Sequence, residues 1–282
     1  MEIVLGLAAA LTYGAADFIG GMVSRRAAVL CVVFLSQVVG SSLVAVAFPF
    51  VDSGAFDAGA LWWGVAAGVA GSAGVIALYH GLSVGRMSVV APITAVVAAG
   101  APVVVGLALG ERPGPLALAG VGLALPAVAL VASSSSDGGG AERGEPSVTG
   151  VPQAVGAGAS FGAFFILLDR AGDGSGLWPL LGARMSSLAV LGLLVAVTST
   201  SLRPGGDVGA GIVGAGLLDV AANLLYLFAV RRGLLSLVAV LTSMYPASTV
   251  VLARVVLGER MTAMRLGGLA IAVVGVALIA LG

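Results

Sequence analysis

The sequence carries very little charge. Only 9% of its 282 residues are charged, and 13 basic and 13 acidic side chains balance to a net charge of zero. Soluble domains carry about 25% charged residues, so this composition excludes an ordinary soluble protein. The balanced charge also gives no basic stretch of the kind that binds nucleic acid.

Cysteine and histidine are almost absent. Cys31 and His80 are the only residues of their types, and Cys31 lies inside an apolar run. A single thiol excludes an intrachain disulfide and a thiolate metal site, and no group of His, Cys and Glu has the spacing of metal ligands. We therefore expect neither a metal nor a cofactor.

Hydrophobicity is what the chain has in excess. Hydrophobic residues make up 59% of it, and the mean hydropathy is +1.14. Runs of about 20 apolar residues are long enough to cross a bilayer as helices, and the alternation typical of membrane strands is missing. The sequence predicts an all-α polytopic membrane protein with ten transmembrane helices, near 2–23, 28–50, 59–81, 87–109, 114–133, 150–169, 177–199, 208–229, 234–257 and 262–281.

One polar segment divides the chain. The stretch "SSSSDGGGAERGEPS" is rich in Ser, Gly and charge, a composition typical of flexible linkers. We therefore predict a first five-helix repeat over 1–133, a flexible linker over 134–149 and a second five-helix repeat over 150–282.

The two halves are related by a fixed offset. "LALGER" ends at Arg112 and "VVLGER" ends at Arg260, 148 residues later. At this offset about a third of positions in 78–132 match 226–280. Because each half has an odd number of helices, the second enters the membrane from the opposite side. Inverted repeats in membranes are typical of secondary transporters, whose site lies at the repeat interface.

The segments "GLSVGRMSVVAP…LGER" and "YLFAVRRGLLSLVAVLTSMYP…LGER" resemble the drug/metabolite transporter superfamily, and the EamA-type ten-helix branch most of all. The resemblance covers nearly the whole chain. It implies an inner-membrane carrier that works by alternating access, with a central cavity between the repeats. That superfamily carries amino acids, metabolites, sugar phosphates and toxic cations, so the resemblance leaves the substrate open.

Two acids stand inside apolar spans. Asp17 lies beyond the middle of the first helix and shares a face with Tyr13, and Asp219 lies mid-way along the eighth and shares a face with Asn223 and Tyr226. Ionisable groups at bilayer depth are rare and usually face a cavity or each other. We predict that both acids face a cavity and take part in proton coupling.

Arg184 is the natural partner for one of these acids. It lies about eight residues into the predicted seventh helix, and the family resemblance implies an arginine at this place. Gln37 lies at a similar depth in the first half, one position away under the offset of 148, so the two halves do not provide a symmetric pair of arginines.

Three further features concern the scaffold. Pro246 in the ninth span, beside Tyr245, is predicted to break the hydrogen-bond ladder of its helix, as are Pro92, Pro102 and Pro126 in the first half. Gly64-x-x-x-Gly68 has the spacing of a helix-packing motif. Glu111 and Glu259, each followed by Arg, are interpreted as ion pairs that set the geometry of their turns.

We therefore predict a secondary active transporter, a proton-coupled exporter of a small metabolite or drug, multi-pass in the inner (plasma) membrane, as a monomer or homodimer. Its partners are a small-molecule substrate, protons and the lipid bilayer. The cavity is predicted to be lined by Tyr13, Asp17, Gln37, Ser160, Phe164, Arg184, Asp219, Asn223, Tyr226 and Tyr245.

Two other classes of membrane protein also have apolar spans. An intramembrane lipid-modifying enzyme would show a dense polar cluster or a metal motif at one membrane face, and the sequence has none. A non-transporting membrane protein would need no acids at mid-depth. The orientation stays open, because the resemblance implies cytoplasmic termini whereas the arginines of the connecting segments favour the opposite side by the positive-inside rule.

Overall fold

The structure is a computed structural model that describes residues 1–24, 26–50, 56–84, 87–133, 150–172, 174–205, 208–258 and 262–282. The predicted linker over 134–149 and Glu259 lie outside the described residues. Within those ranges the chain forms α1 (Glu2–Ser24), α2 (Val29–Ala47), α3 (Ala58–Val84), α4 (Met87–Ala108), α5 (Pro115–Ser133), α6 (Val151–Asp169), α7 (Trp178–Thr198), α8 (Gly209–Val230), α9 (Leu235–Thr242), α10 (Tyr245–Leu257) and α11 (Ala263–Leu281).

These helices make up the ten predicted spans. Seven described segments are long and apolar enough to cross a membrane, with α9 and α10 counted as one span, Leu235–Leu257. Three shorter apolar segments lie within α4, α5 and α11. The prediction of an all-α polytopic protein with ten membrane helices is confirmed.

The ninth span is broken at its middle. α9 ends at Thr242 and α10 begins at Tyr245, with Pro246 as its second residue. Proline has no N–H to donate to the carbonyl four residues before it. Instead, the Met244 N–H donates to the Leu241 carbonyl at 3.2 Å, a tightened last turn of α9. The break predicted from Pro246 is confirmed, whereas α4 and α5 continue as single helices through Pro92, Pro102 and Pro126.

The repeats keep their offset in three dimensions. α4 and α9 begin 148 residues apart, as do α5 and α11, which also end 148 residues apart. The contacts between the halves follow the same correspondence: α1 packs against α8 as α6 packs against α3, and α1 packs against α9 and α10 as α6 packs against α4. α2 contacts its own counterpart α7, and α5 contacts its counterpart α11. The two halves are thus arranged around a pseudo-two-fold axis.

Glycine allows α3 and α7 to approach closely. A Cβ atom added at Gly64 would collide with the Pro179 carbonyl, and one at Gly68 would collide with the Ala183 carbonyl. The Ser187 hydroxyl donates to the Gly68 carbonyl at 3.3 Å across the contact. Small residues that let backbones meet are typical of helix association in membranes, so the packing interpretation of this motif is confirmed.

Candidate functional site

Asp17 lies on the protein-facing side of α1. It shares this side with Ala10, which is 3% exposed, and with half-buried Tyr13, whereas Val4 and Leu11 on another side are 66% and 63% exposed. Residues four and seven apart on a helix share a face. Asp17 is nevertheless exposed, so its carboxylate is accessible to solvent from this side of the helix.

Asp219 is placed in the same way on α8. Ile212, Asn223 and Tyr226 share its side of the helix and are at most 4% exposed, yet the Asp219 side chain is 31% exposed. The carboxylates of Asp17 and Asp219 act on each other electrostatically. We call the solvent-accessible region beside these two carboxylates the acidic crevice.

Arg184 lies behind this crevice and joins three helices. Its Nη1 is 2.7 Å from the Asp219 Oδ2 and also donates a short hydrogen bond to the Gln37 Oε1 on α2. The Arg184 side chain is only 6% exposed. Gly40 lets α2 approach α8 beside it, since a Cβ atom there would lie only 2.7 Å from the Val220 Cγ2. Of the two possible acid partners, the structure pairs Arg184 with Asp219.

Asn223 and Tyr226 are turned into the packing. The Asn223 amide donates to the Asp219 carbonyl at 2.7 Å, and its Oδ1 has no hydrogen-bond partner among the described residues. The Tyr226 side chain is 0% exposed, and its hydroxyl donates to the Phe165 carbonyl at 3.0 Å. In this conformation Asn223 sits at the edge of the site, and Tyr226 anchors α8 to α6.

Aromatic rings form the wall next to the acids. The Tyr13 ring centroid lies 6.4 Å from that of Tyr245 and 6.5 Å from that of Phe165, both edge-on. The Phe165 ring also contacts Phe164 at 5.5 Å and Tyr226 at 4.6 Å. The Tyr13 hydroxyl is buried and has no hydrogen-bond partner within the described ranges, so its donor is unsatisfied in this conformation.

The remaining predicted residues lie on α6. Phe164 packs against α3, where a Cβ atom at Gly71 would be 3.2 Å from the ring, and Ser160 is half-buried one turn earlier. Phe165, which the predicted cavity omits, joins these residues to Tyr13. It is the position 148 residues after Asp17, so the internal repeat was the signal that could have found it.

Glu111 has a different partner from the one expected. Its two carboxylate oxygens accept hydrogen bonds from the backbone N–H groups of Leu235 and Ser236, at 2.6 and 3.0 Å. Sequence reasoning placed it in an ion pair with Arg112. In the structure the carboxylate caps the first turn of α9 instead, 124 residues further along the chain.

The donor set of the site is carboxylate, amide, phenol and guanidinium. Across the residues that the structure describes, no three His, Cys, Asp or Glu side chains are placed to hold a metal ion. The arrangement can bind a cationic group at Asp17, accept or release a proton there, and orient a ligand with the Tyr13 hydroxyl.

Together the fold and the site define a helical membrane protein of two inverted repeats around an acidic crevice. The chain belongs to the EamA-like transporter family, whose sequence model matches residues 1–133 and 148–281. A solved structure titled "Crystal structure of protein" is 17% identical, covers 99% of this chain and 96% of its own, and superimposes with a TM-score of 0.82. That likeness shows the fold alone. No curated protein matches the chain.

Proposed function

We propose that this member of the family is a proton-coupled secondary carrier that exports a small metabolite or drug across the inner (plasma) membrane by alternating access. The observation that carries the proposal is the exposure of Asp17 and Asp219 on helix faces that are otherwise buried. Carboxylates at membrane depth are costly unless they face water, a partner or a ligand. Two of them on one crevice are best explained by cargo and protons that pass through it.

The two acids differ in their charge balance. Asp219 is paired with Arg184, so its negative charge has a counter-charge 2.7 Å away. Asp17 forms no salt bridge within the described part of the chain and faces Asp219 from α8, Tyr245 from α10 and Tyr13 from its own helix. Its charge is therefore relieved by a proton or by a cationic group of the substrate.

This difference supplies a coupling scheme. Proton and substrate compete for the Asp17 carboxylate. After substrate is released, the carrier therefore changes back to its starting conformation with a proton on Asp17. Asp219 and Arg184 keep the neighbouring charge fixed, and Asp17 is the group that changes its state. Asp219 also takes part in proton coupling, because the gain or loss of a proton at Asp17 changes the electrostatic field at Asp219.

The test begins with a ligand screen on purified protein in detergent. Amino acids, nucleobases, sugar phosphates and the lipophilic cation tetraphenylphosphonium are each tested at two pH values by thermal unfolding. A ligand at 100 times its Kd adds roughly 2.7 kcal/mol to the stability of the folded state. A hit is then followed in proteoliposomes that contain a pH-sensitive dye.

We expect substrate movement to drive proton movement in the opposite direction. Asp17→Asn should abolish the pH dependence of transport, and the double variant with Asp219→Asn should abolish transport itself. Asp57→Asn is the matched control, because Asp57 is an exposed acid whose Oδ1 accepts the Ala60 N–H at 2.9 Å, and asparagine caps a helix equally well. Transport with an unchanged pH profile in the double variant would overturn the proposal.

A further inference from the structure

Glu111 caps a helix in the other repeat. Glu111 lies in the turn after α4, where Gly110 has a φ of +96° and the Glu111 N–H donates to the Gly106 carbonyl at 3.0 Å. From this turn its Oε1 and Oε2 accept the N–H groups of Leu235 and Ser236. Leu234, at the cap position of α9, offers no side-chain hydrogen bond. The first turn of α9 therefore depends on a carboxylate from the first repeat.

That dependence is strong because α9 is enclosed. The first N–H groups of a helix have no partner within the helix, and a negative charge there also interacts favourably with the helix dipole. Leu235 is 2% exposed and Ser236 is 1% exposed, so water cannot easily replace the carboxylate. Without Glu111, two buried donors would lose their acceptors.

α9 connects this cap to the site. Its far end, Thr242, is three residues before Tyr245, the first residue of α10 and an edge-on neighbour of Tyr13 in the acidic crevice. α9 packs against α1, α4 and α5 of the first repeat as well as against α6 and α8 of its own. Glu111 thus fixes one end of a half-helix whose other end leads to a side chain of the site.

The cap lies at the closed end of the protein. The turn between α8 and α9 meets the start of α1, since a Cβ atom at Gly233 would be 2.6 Å from the Glu2 Cγ. Toward the opposite end of α1, the face that carries Asp17 is less tightly packed. Gly20, one turn beyond Asp17, has no heavy atom within 4 Å of its Cβ position. We call these the Glu2 end and the Ser24 end.

The equivalent position in the second repeat shows the contrast. Leu168 is the residue 148 positions after Gly20. It lies near the end of α6 and is 1% exposed, packed in a cluster with Tyr226 and Leu235. Positions related by the repeat are therefore open at the Ser24 end and closed at the Glu2 end.

We propose that Glu111 is a latch that keeps the Glu2 end closed. It ties the α4–α5 turn of the first repeat to the half-helix α9 of the second, and this contact is released when the carrier opens toward that end. Glu111 is a positioning residue that acts on Tyr245 through α9. The inference rests on the proposed carrier function.

The test measures which end is open with single cysteines. The natural thiol is removed by Cys31→Ala, and reporters are placed by Gly20→Cys or Leu168→Cys. Each reporter is combined with Glu111→Gln, which keeps one acceptor oxygen, or Glu111→Ala, which keeps none. Arg112→Gln is the matched control, because Arg112 is the exposed neighbour in the same turn. Labelling by a membrane-impermeant maleimide is followed in detergent, together with thermal stability.

With Glu111 present, we expect fast labelling of Gly20→Cys and slow labelling of Leu168→Cys. Glu111→Ala should raise the labelling rate at Leu168→Cys about tenfold, the order of effect of losing a helix cap, and lower it at Gly20→Cys. Glu111→Gln should change both rates in the same directions but less, and Arg112→Gln should change neither.

Two results would overturn the latch. One is a fall in thermal stability with an unchanged ratio of the two labelling rates, which would make the cap merely structural. The other is a parallel rise at both reporters, which would indicate general loosening of the fold. Labelling needs neither a substrate nor a proton gradient, so its outcome is separate from that of the transport assay.

Discussion

Arg184 and Asp219 form an ion pair whose two members are unequally exposed. The Arg184 Nη1 is 2.7 Å from the Asp219 Oδ2, and the side chains are 6% and 31% exposed. The cation is thus enclosed while its partner reaches the acidic crevice. This inequality predicts unequal costs when either member is removed.

Asp219→Asn should destabilise the protein more than Arg184→Gln. Removing the acid leaves a buried guanidinium without its counter-charge, which costs roughly 3–5 kcal/mol in buried pairs. Removing the arginine leaves a carboxylate that water in the crevice can still solvate. Thermal and denaturant unfolding in detergent would measure both, and the double variant should recover part of the loss. Equal losses in the two single variants would contradict the inequality.

Gln37→Glu should rescue Asp219→Asn. The Gln37 Oε1 already accepts a hydrogen bond from the Arg184 Nη1, so a carboxylate at the same place gives the guanidinium a new counter-charge. We expect the rescue to restore a large part of the lost stability in unfolding experiments, because charged hydrogen bonds are about twice as strong as neutral ones. Gln37→Met, which has a similar shape and no charge, is the control and should give no rescue.

Tyr13→Phe and Tyr226→Phe should separate function from stability. The Tyr226 hydroxyl donates to the Phe165 carbonyl, and its loss should cost about 0.5–1.5 kcal/mol with transport retained. The Tyr13 hydroxyl has no partner among the described residues, so its removal should leave stability unchanged or slightly higher while it weakens ligand binding. Unfolding and ligand-induced thermal shifts on both variants would measure this, and a reversed order would contradict the site.

Gly64→Ala should destabilise the contact between α3 and α7. The added methyl group would meet the Pro179 carbonyl, part of the backbone that cannot turn away. A forced separation of packed helices costs about 1–3 kcal/mol. Gly100→Ala on α4 is the matched control: its Cβ position has no heavy atom within 4 Å, and alanine in a helix gains roughly 0.5–1 kcal/mol over glycine. Comparable thermal shifts for both variants would show that the close approach is unimportant.

The local residue pattern and the internal repeat were sufficient to predict the fold. Hydropathy located the spans, Pro246 located the break, and the offset of 148 related the halves. These features depend on neighbouring residues or on internal similarity, both of which one sequence contains.

The site depended on contacts that no single helix contains. Two acids were available to Arg184, and only the arrangement of α2, α7 and α8 selects Asp219. Helical periodicity placed Tyr226 on the same helix face as Asp219. A shared face does not determine how deeply each side chain is buried, and Tyr226 is fully buried. Glu111 and the backbone N–H of Leu235 that it caps are 124 residues apart in sequence, so this partner could not be predicted from the turn alone.

The replacement of Asp17 by Phe165 at the equivalent position of the second repeat gives the duplicated scaffold an uneven interior. A backbone with near two-fold symmetry would treat both directions of passage alike if its side chains matched. Under the proposed function, a cargo with a positive group meets a carboxylate on one half of its route and a benzene ring on the other. The energy profile along that route is therefore asymmetric, so such a cargo binds more tightly from one side of the membrane than from the other, while the gradients of cargo and protons set the direction of net flow.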